Sequence, residues 1–402
     1  MDTMTTTGSA EILNKIINIA TGREDDPADY SAGELIAVGT KLLKTDFNKF
    51  VTAMSQVMSY TIFKTERPYR RKFYNILRTS DRWGNHVRKV GMISRDIMDD
   101  GQFFDETEKP WNNNNMFNSA PTDEVIQTNY YGKKTMEIGL KRFKNQLDDA
   151  LNSINEFNTY YAMQMQTVNN DWEQAIENYS RTAVCNMILG VLSGGSDMSK
   201  VNLLTKYNEA MGTSLTAADV HKKENYTDFI RFSYALIKTY MSYMTERSVV
   251  FHAPFEKDGE LIDFRRSTPQ EYMNLYILTN EYENINARIL ADTFNTEYLN
   301  SNLFERVNFW ENMRDPAHIT MGGVYLNPLQ EQANIAIGEH ADKEIFAVIM
   351  DDECVGVNLF DEWTAASPFE AHRGFVNEYW HAQVRYWNSF EDNACVFYIA
   401  DE

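Results

Sequence analysis

The sequence of 402 residues contains only three cysteines, Cys185, Cys354 and Cys395, which lie far apart and show no CxxC spacing. Because each has apolar neighbours, the pattern predicts buried thiols and argues against a disulfide or zinc framework. Long apolar runs are also missing, since stretches such as 345–350 fall far short of the roughly 20 residues that a membrane span needs. The N-terminal residues lack the basic region and following apolar stretch that are typical of a secretory signal. We therefore expect a soluble protein made in a cytoplasm.

Positive charge is scarce. The chain has 38 basic and 58 acidic residues, which gives a formal net charge of −20. Proteins that grip nucleic acid neutralise its phosphates with clustered lysine and arginine side chains. The charge balance therefore argues against sequence-specific binding of DNA or RNA.

Catalytic and cofactor motifs are missing as well. The seven histidines show no HExxH spacing, and the sequence has no GxxxxGK[ST], GxGxxG or GxSxG pattern. Glu339, His340 and Asp342, or the acidic run 351–353, could offer metal ligands, but charged residues between two strands are usually solvated turns. We therefore predict no metal, no cofactor and no enzymatic activity. A hydrolytic site assembled from distant residues stays open as an alternative.

The first half of the chain begins with helical patterns at 11–20 and 32–60, separated by an acidic loop that carries Pro27. Residues 67–126 are polar and extended, with a plausible turn at Gly84 and Asn85. This segment has too few apolar residues for a core of its own. It predicts either a projecting hairpin that rests on another subunit or a disordered insertion.

A long helix is the clearest element in the pattern. Between Leu140 and Leu189 there is no glycine or proline, and Gly139 and Gly190 bracket the stretch. Its apolar residues recur at a mean spacing of about 3.6, the helical period. At a rise of about 1.5 Å per residue, 40 residues reach about 60 Å. Asn169–Asn170–Asp171 could divide the helix in two. The stripe comprises Leu147, Leu151, Ile154, Phe157, Tyr161, Met165, Val168, Trp172, Ile176, Tyr179, Ala183 and Met187.

The second half alternates between helices and strands, as in an α/β domain. Glycine pairs at 194–195 and 322–323 indicate turns, and Asn280 is suited to cap a helix. We predict helices at 228–247 and 281–294, strands at 272–279, 334–338, 345–350 and 355–360, and two final strands within 373–401 joined near 390–393.

Four stretches carry a family resemblance: 133–162 (KKTMEIGLKRF…), 177–190 (ENYSRTAVCNMILG), 267–297 (STPQEYMNLYILT…) and 373–397 (RGFVNEYWHAQ…). In this order they resemble the major capsid proteins of tailed bacteriophages, especially short-tailed phages of Gram-positive hosts. The resemblance implies an α+β, HK97-like capsid fold with an N-terminal arm, an extended β-hairpin called the E-loop, a peripheral domain with a long spine helix and an α/β axial domain. The implied boundaries are 1–66 for the helical arm, 67–126 for the E-loop, 127–192 for the peripheral domain, 193–370 for the axial domain, and 371–402 for terminal strands that return to the peripheral domain.

The same resemblance implies a structural protein that self-assembles into hexamers and pentamers of an icosahedral shell. Its partners would be further copies of itself, a portal and a scaffolding protein, and it would enclose double-stranded DNA without reading its sequence or binding a membrane. A wall with net negative charge suits this, because it repels phosphate and lets a packed polymer slide. The location would be the virion, after assembly in the host cytoplasm. No Lys–Asn pair can be assigned to covalent cross-linking, so none is predicted.

Intersubunit contacts are the functional residues that we expect. The candidates are Trp83, Asn85 and His86 on the projecting loop and Trp380 and Trp387 on the terminal strands. For the tryptophans, ordinary core packing is the alternative.

Other functions remain open from sequence. A nanocompartment shell of the same fold would hold a cargo enzyme instead of a genome. A cytoplasmic hydrolase without a recognisable motif, or another virion component such as a tail-tube protein, is also possible. The role of the segment before residue 65 stays open between an arm, a scaffold contact and a group-specific element.

Overall fold

The computed structural model describes most of the chain, namely residues 6–22, 32–53, 73, 76–79, 87–92, 125–131, 134–146, 154–257, 260–262, 264–289, 304–329 and 331–401. The helices are α1 (Thr6–Ala20), α2 (Ala32–Thr45), α3 (Ile154–Gly194), α4 (Leu203–Met211), α5 (Ala217–Val220), α6 (Lys223–Thr245) and α7 (Thr279–Ile289). The strands are β1 (Leu77–Thr79), β2 (Val87–Met92), β3 (Val125–Tyr130), β4 (Lys134–Phe143), β5 (Lys200–Asn202), β6 (Glu256–Lys257), β7 (Glu260–Leu261), β8 (Met273–Leu278), β9 (Phe304–Val307), β10 (Gly323–Leu326), β11 (Gln332–Ile335), β12 (Glu344–Asp351), β13 (Val355–Ala366), β14 (Phe375–Asn388) and β15 (Ala394–Ile399).

Two mixed sheets organise the described part of the chain. The larger has the strand order β5-β15-β12-β8-β9, and the smaller has the order β1-β13-β14-β4. Strand β12 lies at the centre of the larger sheet between two antiparallel neighbours. Val348 belongs to a core on one face of this sheet and Ile349 to a core on the other. Burial on both faces explains why the sequence of β12 is an uninterrupted apolar run.

Helix α3 packs along the smaller sheet and contributes to the core between the two sheets. It is one continuous helix of 41 residues. Val168, Trp172, Ile176, Ala183 and Met187 are buried, which confirms the predicted stripe in this part of the helix. Of the two alternatives, the helix divided at 169–171 is not found, because buried stripe residues on both sides keep the segment helical and outweigh the weak helix propensity of asparagine and aspartate.

The ends of this helix differ from the prediction. Residues 140–143 belong to strand β4, where Leu140 pairs with Glu378 and Phe143 with Phe375. At the other end the helix passes through Gly190 and continues to Gly194. A Cβ on residue 190 would overlap the ring of Phe390. Gly190 therefore permits close packing and does not stop the helix.

The predicted helix 32–60 is interrupted at Asp46. Helix α2 ends at Thr45, and helical residues resume at 47–53. The Asp46 carboxylate accepts a hydrogen bond from the Lys49 backbone N–H at 3.4 Å, which is the geometry of an N-cap. Residues 54–60 lie outside the described residues.

The N-terminal helices form a core with the body of the protein. Leu13, Ile16, Ile17, Leu35 and Phe50 are fully buried. They belong to one apolar cluster with residues of α3 and β14, namely Val168, Val376 and Trp380. The N-terminal helices thus cover part of the smaller sheet.

In the second half, the predicted strands at 272–279, 345–350 and 355–360 are found, the last extended to Ala366. The predicted turn at 322–323 is wrong, because Gly323 opens strand β10 and pairs with Ile335 of β11. A Cβ on Gly323 would lie 2.9 Å from Oδ1 of Asn186 on α3, so this glycine also marks a close approach.

The final strands divide between the two sheets. Strand β14 lies between β13 and β4 in the smaller sheet, whereas β15 pairs with β12 and β5 in the larger one. The predicted pair of strands joined near 390–393 is confirmed, and residues 389–393, which we call the sheet-linking turn, carry the chain across. Both sheets therefore share the C-terminal segment.

Replacing Gly190 with alanine tests the close packing of α3. Helix propensity alone predicts that alanine stabilises the helix by about 1 kcal/mol. The overlap with the Phe390 ring opposes this, since overpacking typically costs about 1–3 kcal/mol. We expect a lower free energy of unfolding in a denaturant titration, and a smaller loss when Gly190→Ala is made in a Phe390→Leu background. A more stable Gly190→Ala protein would contradict this packing.

Candidate functional site

A two-stranded hairpin stands apart from both sheets. Strands β2 and β3 pair antiparallel from Val87–Tyr130 to Met92–Val125 and form a sheet of their own. We call this pair the hairpin stem. The connection between its strands, residues 93–124, lies outside the described residues. The stem corresponds to the base of the predicted E-loop.

One face of the stem lies against the body of the protein. In the register, Lys89 pairs with Thr128, and Gly91 follows Lys89 by two positions, so these three residues share a face. A Cβ on Gly91 would lie 3.0 Å from Cζ of Phe264, so a larger side chain would push the stem away from the body. On the opposite face Val90, Met92 and Val125 are about half exposed. Among the described residues, the stem is therefore docked on one side only.

The stem docks on the sheet-linking turn. All five residues of this turn, Ser389 to Asn393, are buried. Connections are rarely buried, because their backbone polar groups need partners. Here Ser389 N–H donates to the Cys354 carbonyl at 2.7 Å, and the Phe390 carbonyl accepts from Ala253 N–H at 3.1 Å. The first bond ties the turn to the residue before β13, and a third, from Asp351 N–H to the Asn393 carbonyl at 2.9 Å, ties it to β12 of the larger sheet.

Charged side chains join the stem to the turn. The Lys89 amine forms an ion pair with the Asp392 carboxylate, and these side chains are 11% and 8% exposed. Its Nζ also lies 3.2 Å from Oγ of Ser389 and 3.4 Å from Oε2 of Glu353. The Thr128 hydroxyl donates to the fully buried carboxylate of Glu391. Each strand of the stem therefore reaches one buried acid of the turn.

An aromatic contact completes the docking. The rings of Tyr130 and Trp387 stack with centroids 5.1 Å apart and an angle of 29° between their planes. Burial raises the pKa of the Tyr130 hydroxyl above its ordinary value, so the phenol stays neutral. Trp387 also donates from Nε1 to Oδ1 of Asn358 at 2.6 Å. This hydrogen bond fixes the Trp387 ring, against which Tyr130 of the stem packs.

The smaller sheet also presents an open aromatic face, on the side away from α3. Trp363, His381 and Tyr379 stack across strands β13 and β14, with centroids 5.1 Å and 6.2 Å apart. Further along, Phe143 contacts Phe375 edge to face at 5.8 Å. Trp363 is 36% and Phe143 39% exposed. We call this set of five residues the open sheet face.

Of the five predicted contact residues, the structure describes only the two tryptophans of strand β14. Trp83, Asn85 and His86 lie outside the described residues. Trp380 is 4% and Trp387 7% exposed, and both pack among residues of this same chain. This burial agrees with the core-packing alternative, and their role in intersubunit contact stays a prediction.

Sequence reasoning did not single out Lys89 or the acids of the sheet-linking turn. The signal was present, because Glu391 and Asp392 are the only charged residues in the sequence from 386 to 400, a stretch rich in aromatic and apolar side chains. Adjacent acids between two buried strands need partners, since a buried charge is costly unless it is paired. Which partner they take depends on contacts between residues some 300 positions apart in sequence.

The groups considered for catalysis have structural partners. The acidic run 351–353 is tied into the fold, since Asp351 accepts from the Thr268 hydroxyl at 2.7 Å. His340 lies 2.8 Å from the hydroxyl of Ser193, and burial lowers the pKa of this histidine. All three thiols are buried as predicted, and burial raises the pKa of Cys185 to about 12.

Within the described residues, no group of three or more His, Cys, Asp or Glu side chains is arranged to hold a metal ion. None of the helices in the described part of the chain combines the length and apolarity that crossing a bilayer requires.

Known proteins resemble this chain in structure but not in sequence. No protein-family model and no curated protein matches the sequence. The capsid structure of Staphylococcus phage Andhra matches with a TM-score of 0.51 and 10% identity, over 84% of this chain and 86% of that one. A chain in the structure of the head fiber and inner core protein gp22 of native bacteriophage P68 matches with a TM-score of 0.53 and 8% identity, over 83% and 86%. The chain has the HK97-like fold of phage capsid structures.

Proposed function

We propose that this protein is the major capsid subunit of a tailed bacteriophage, which assembles into an icosahedral shell around double-stranded DNA. The observation that carries the proposal is the fold, which matches a phage capsid structure over 84% of the chain. Two further features support it. The hairpin stem is anchored to the body on one face only, and the open sheet face exposes aromatic side chains.

Contacts between subunits follow from these two features. In this proposal the 93–124 connection of one subunit lies on the open sheet face of the next. The connection carries four aromatic residues, Phe103, Phe104, Trp111 and Phe117. Aromatic side chains are enriched where proteins meet, and exposed aromatic groups suit such a contact.

Charge is complementary at one end of this contact. The 93–124 connection has eight acidic and two basic residues, a net charge of −6. The receiving end of the open sheet face carries exposed Lys141 and Arg373, and the Lys141 amine lies 4.4 Å from the centroid of the Phe375 ring. Opposite charges across an interface steer association and fix its register.

The assembled product would be a shell of hexamers and pentamers with a portal and a scaffolding protein as partners. Many modest contacts suffice, because closed symmetry makes them cooperative. The net charge of −20 supports enclosure of DNA without sequence-specific binding. The virion would be the final location, after assembly in the host cytoplasm, and we propose no catalytic activity.

Shortening the connection tests its role. We expect that replacing residues 93–124 with a short Gly-Ser linker leaves a soluble subunit that unfolds cooperatively but builds no shells. The stem keeps its docking contacts, whereas the segment proposed to reach the neighbour is gone. Thermal melts and electron microscopy of the purified protein are the measurements.

The control for this deletion is insertion of the same linker at Gly212, an exposed position after α4 where a Cβ would have no neighbour within 4 Å. The insertion variant should assemble like the wild type. Normal particles from the deletion variant would contradict the assigned contact. Purified wild-type particles should contain DNA when taken from infected cells, and particles filled with a protein cargo would instead indicate a nanocompartment.

Trp363→Ser tests the open sheet face. Trp363 is 36% exposed and stacks on His381, so its removal should lower the melting temperature but leave a folded, cooperatively unfolding subunit. Truncating an aromatic residue at the centre of an interface typically costs about 2 kcal/mol or more, or about 30-fold in the affinity of each contact. We expect the concentration at which shells form to rise steeply in light-scattering titrations. Tyr243→Ser, which removes a 49% exposed aromatic side chain on α6, is the matched control and should assemble normally. Equal assembly by both variants would argue against this surface.

A further inference from the structure

The direction of the hairpin stem relative to the body depends on side chains. Within the described residues, β2 and β3 pair with each other and with no strand of either sheet. An isolated two-stranded hairpin is only marginally stable in water, and it can rotate as a unit unless side chains hold it. The contacts that hold it are made by Lys89, Thr128 and Tyr130, with Gly91 allowing close approach.

Lys89 differs from the other three because its contact is ionic and largely buried. Its amine reaches Asp392, Ser389 and Glu353 at the same time. A buried ion pair adds little net stability compared with an apolar pair of similar volume, because both ions lose their hydration. The ion pair instead restricts the distance between the two charged groups, since each buried ion must keep the other within reach. A lysine paired in this way restricts the angle at which its strand can leave the body.

Small changes of this angle are amplified at the far end of the hairpin. Half of the 32-residue connection reaches at most about 55 Å when extended, so a tilt of about 5° at the stem moves a tip at that reach by about 5 Å. Contacts between identical subunits close into a shell of defined size only if their angles stay within a narrow range, and otherwise they give open or irregular assemblies. The angle at which the stem leaves the body therefore affects the shape of the assembled shell.

We propose that Lys89 is a positioning residue that sets the direction of the hairpin through its ion pair with Asp392, and thereby the uniformity of the shell. This inference rests on the proposed function. It assigns to Lys89 a role in the geometry of assembly that is separate from the stability of the subunit.

The test removes the ion pair without leaving a buried charge. Lys89→Met alone would strand the Asp392 carboxylate in the core, so the variant is Lys89→Met/Asp392→Leu, which keeps the volumes similar. The matched control is Lys206→Met/Glu209→Leu, which removes an ion pair of 3.1 Å on the exposed surface of α4. Melting temperature and the distribution of particle diameters in electron micrographs are measured for both variants and the wild type.

We expect the Lys89→Met/Asp392→Leu protein to melt no lower than the wild type, while its fraction of closed shells of wild-type diameter falls several-fold in favour of tubes, open sheets or mixed sizes. The control should give wild-type shells. Wild-type shells from Lys89→Met/Asp392→Leu would overturn the inference while leaving the proposed function intact. Loss of shells together with a lowered melting temperature would also overturn it, because Lys89 would then support only the fold. A wild-type protein that forms no shells, with or without a scaffolding protein or a crowding agent, would refute the proposed function itself.

Discussion

The rest of the structure depends on how residues 389–393 are kept in the interior. This turn brings two adjacent carboxylates, Glu391 and Asp392, into a core where an unpaired charge is costly. Their partners, the Thr128 hydroxyl and the Lys89 amine, come from the hairpin stem. The burial of the two acids and the docking of the hairpin are therefore coupled, because each acid takes a side-chain partner from the stem.

The same turn links the two sheets and the long helix. Strand β14 precedes it and β15 follows it, so the smaller and larger sheets meet there. The ring of Phe390 lies against helix α3 at Gly190, where any side chain would overlap it. Because the interior is close-packed, a displacement at this point is transmitted to both sheets. The two sheets and helix α3 thus form a packed body, and the described residues of the hairpin stem contact it through one face.

Sequence alone predicted the elements whose pattern is local. The helical stripe through Trp172 and Ile176 and the apolar strand 345–350 are found where periodicity placed them. Gly190 was misread because a glycine that permits close packing and one that ends a helix look identical until the partner ring is known. The docking of Lys89 was not predicted, because its partner Asp392 is distant in sequence and long-range pairing has no local signature.

We propose above all that the 93–124 connection of one subunit lies on the open sheet face of another. A cryo-EM reconstruction of assembled particles at side-chain resolution tests it most directly. We predict density for residues 93–124 of one subunit lying across Trp363 and His381 of its neighbour, with the stem held at Lys89 as in the single chain. A connection folded onto its own subunit, or an open sheet face left in contact with solvent throughout the shell, would contradict the account.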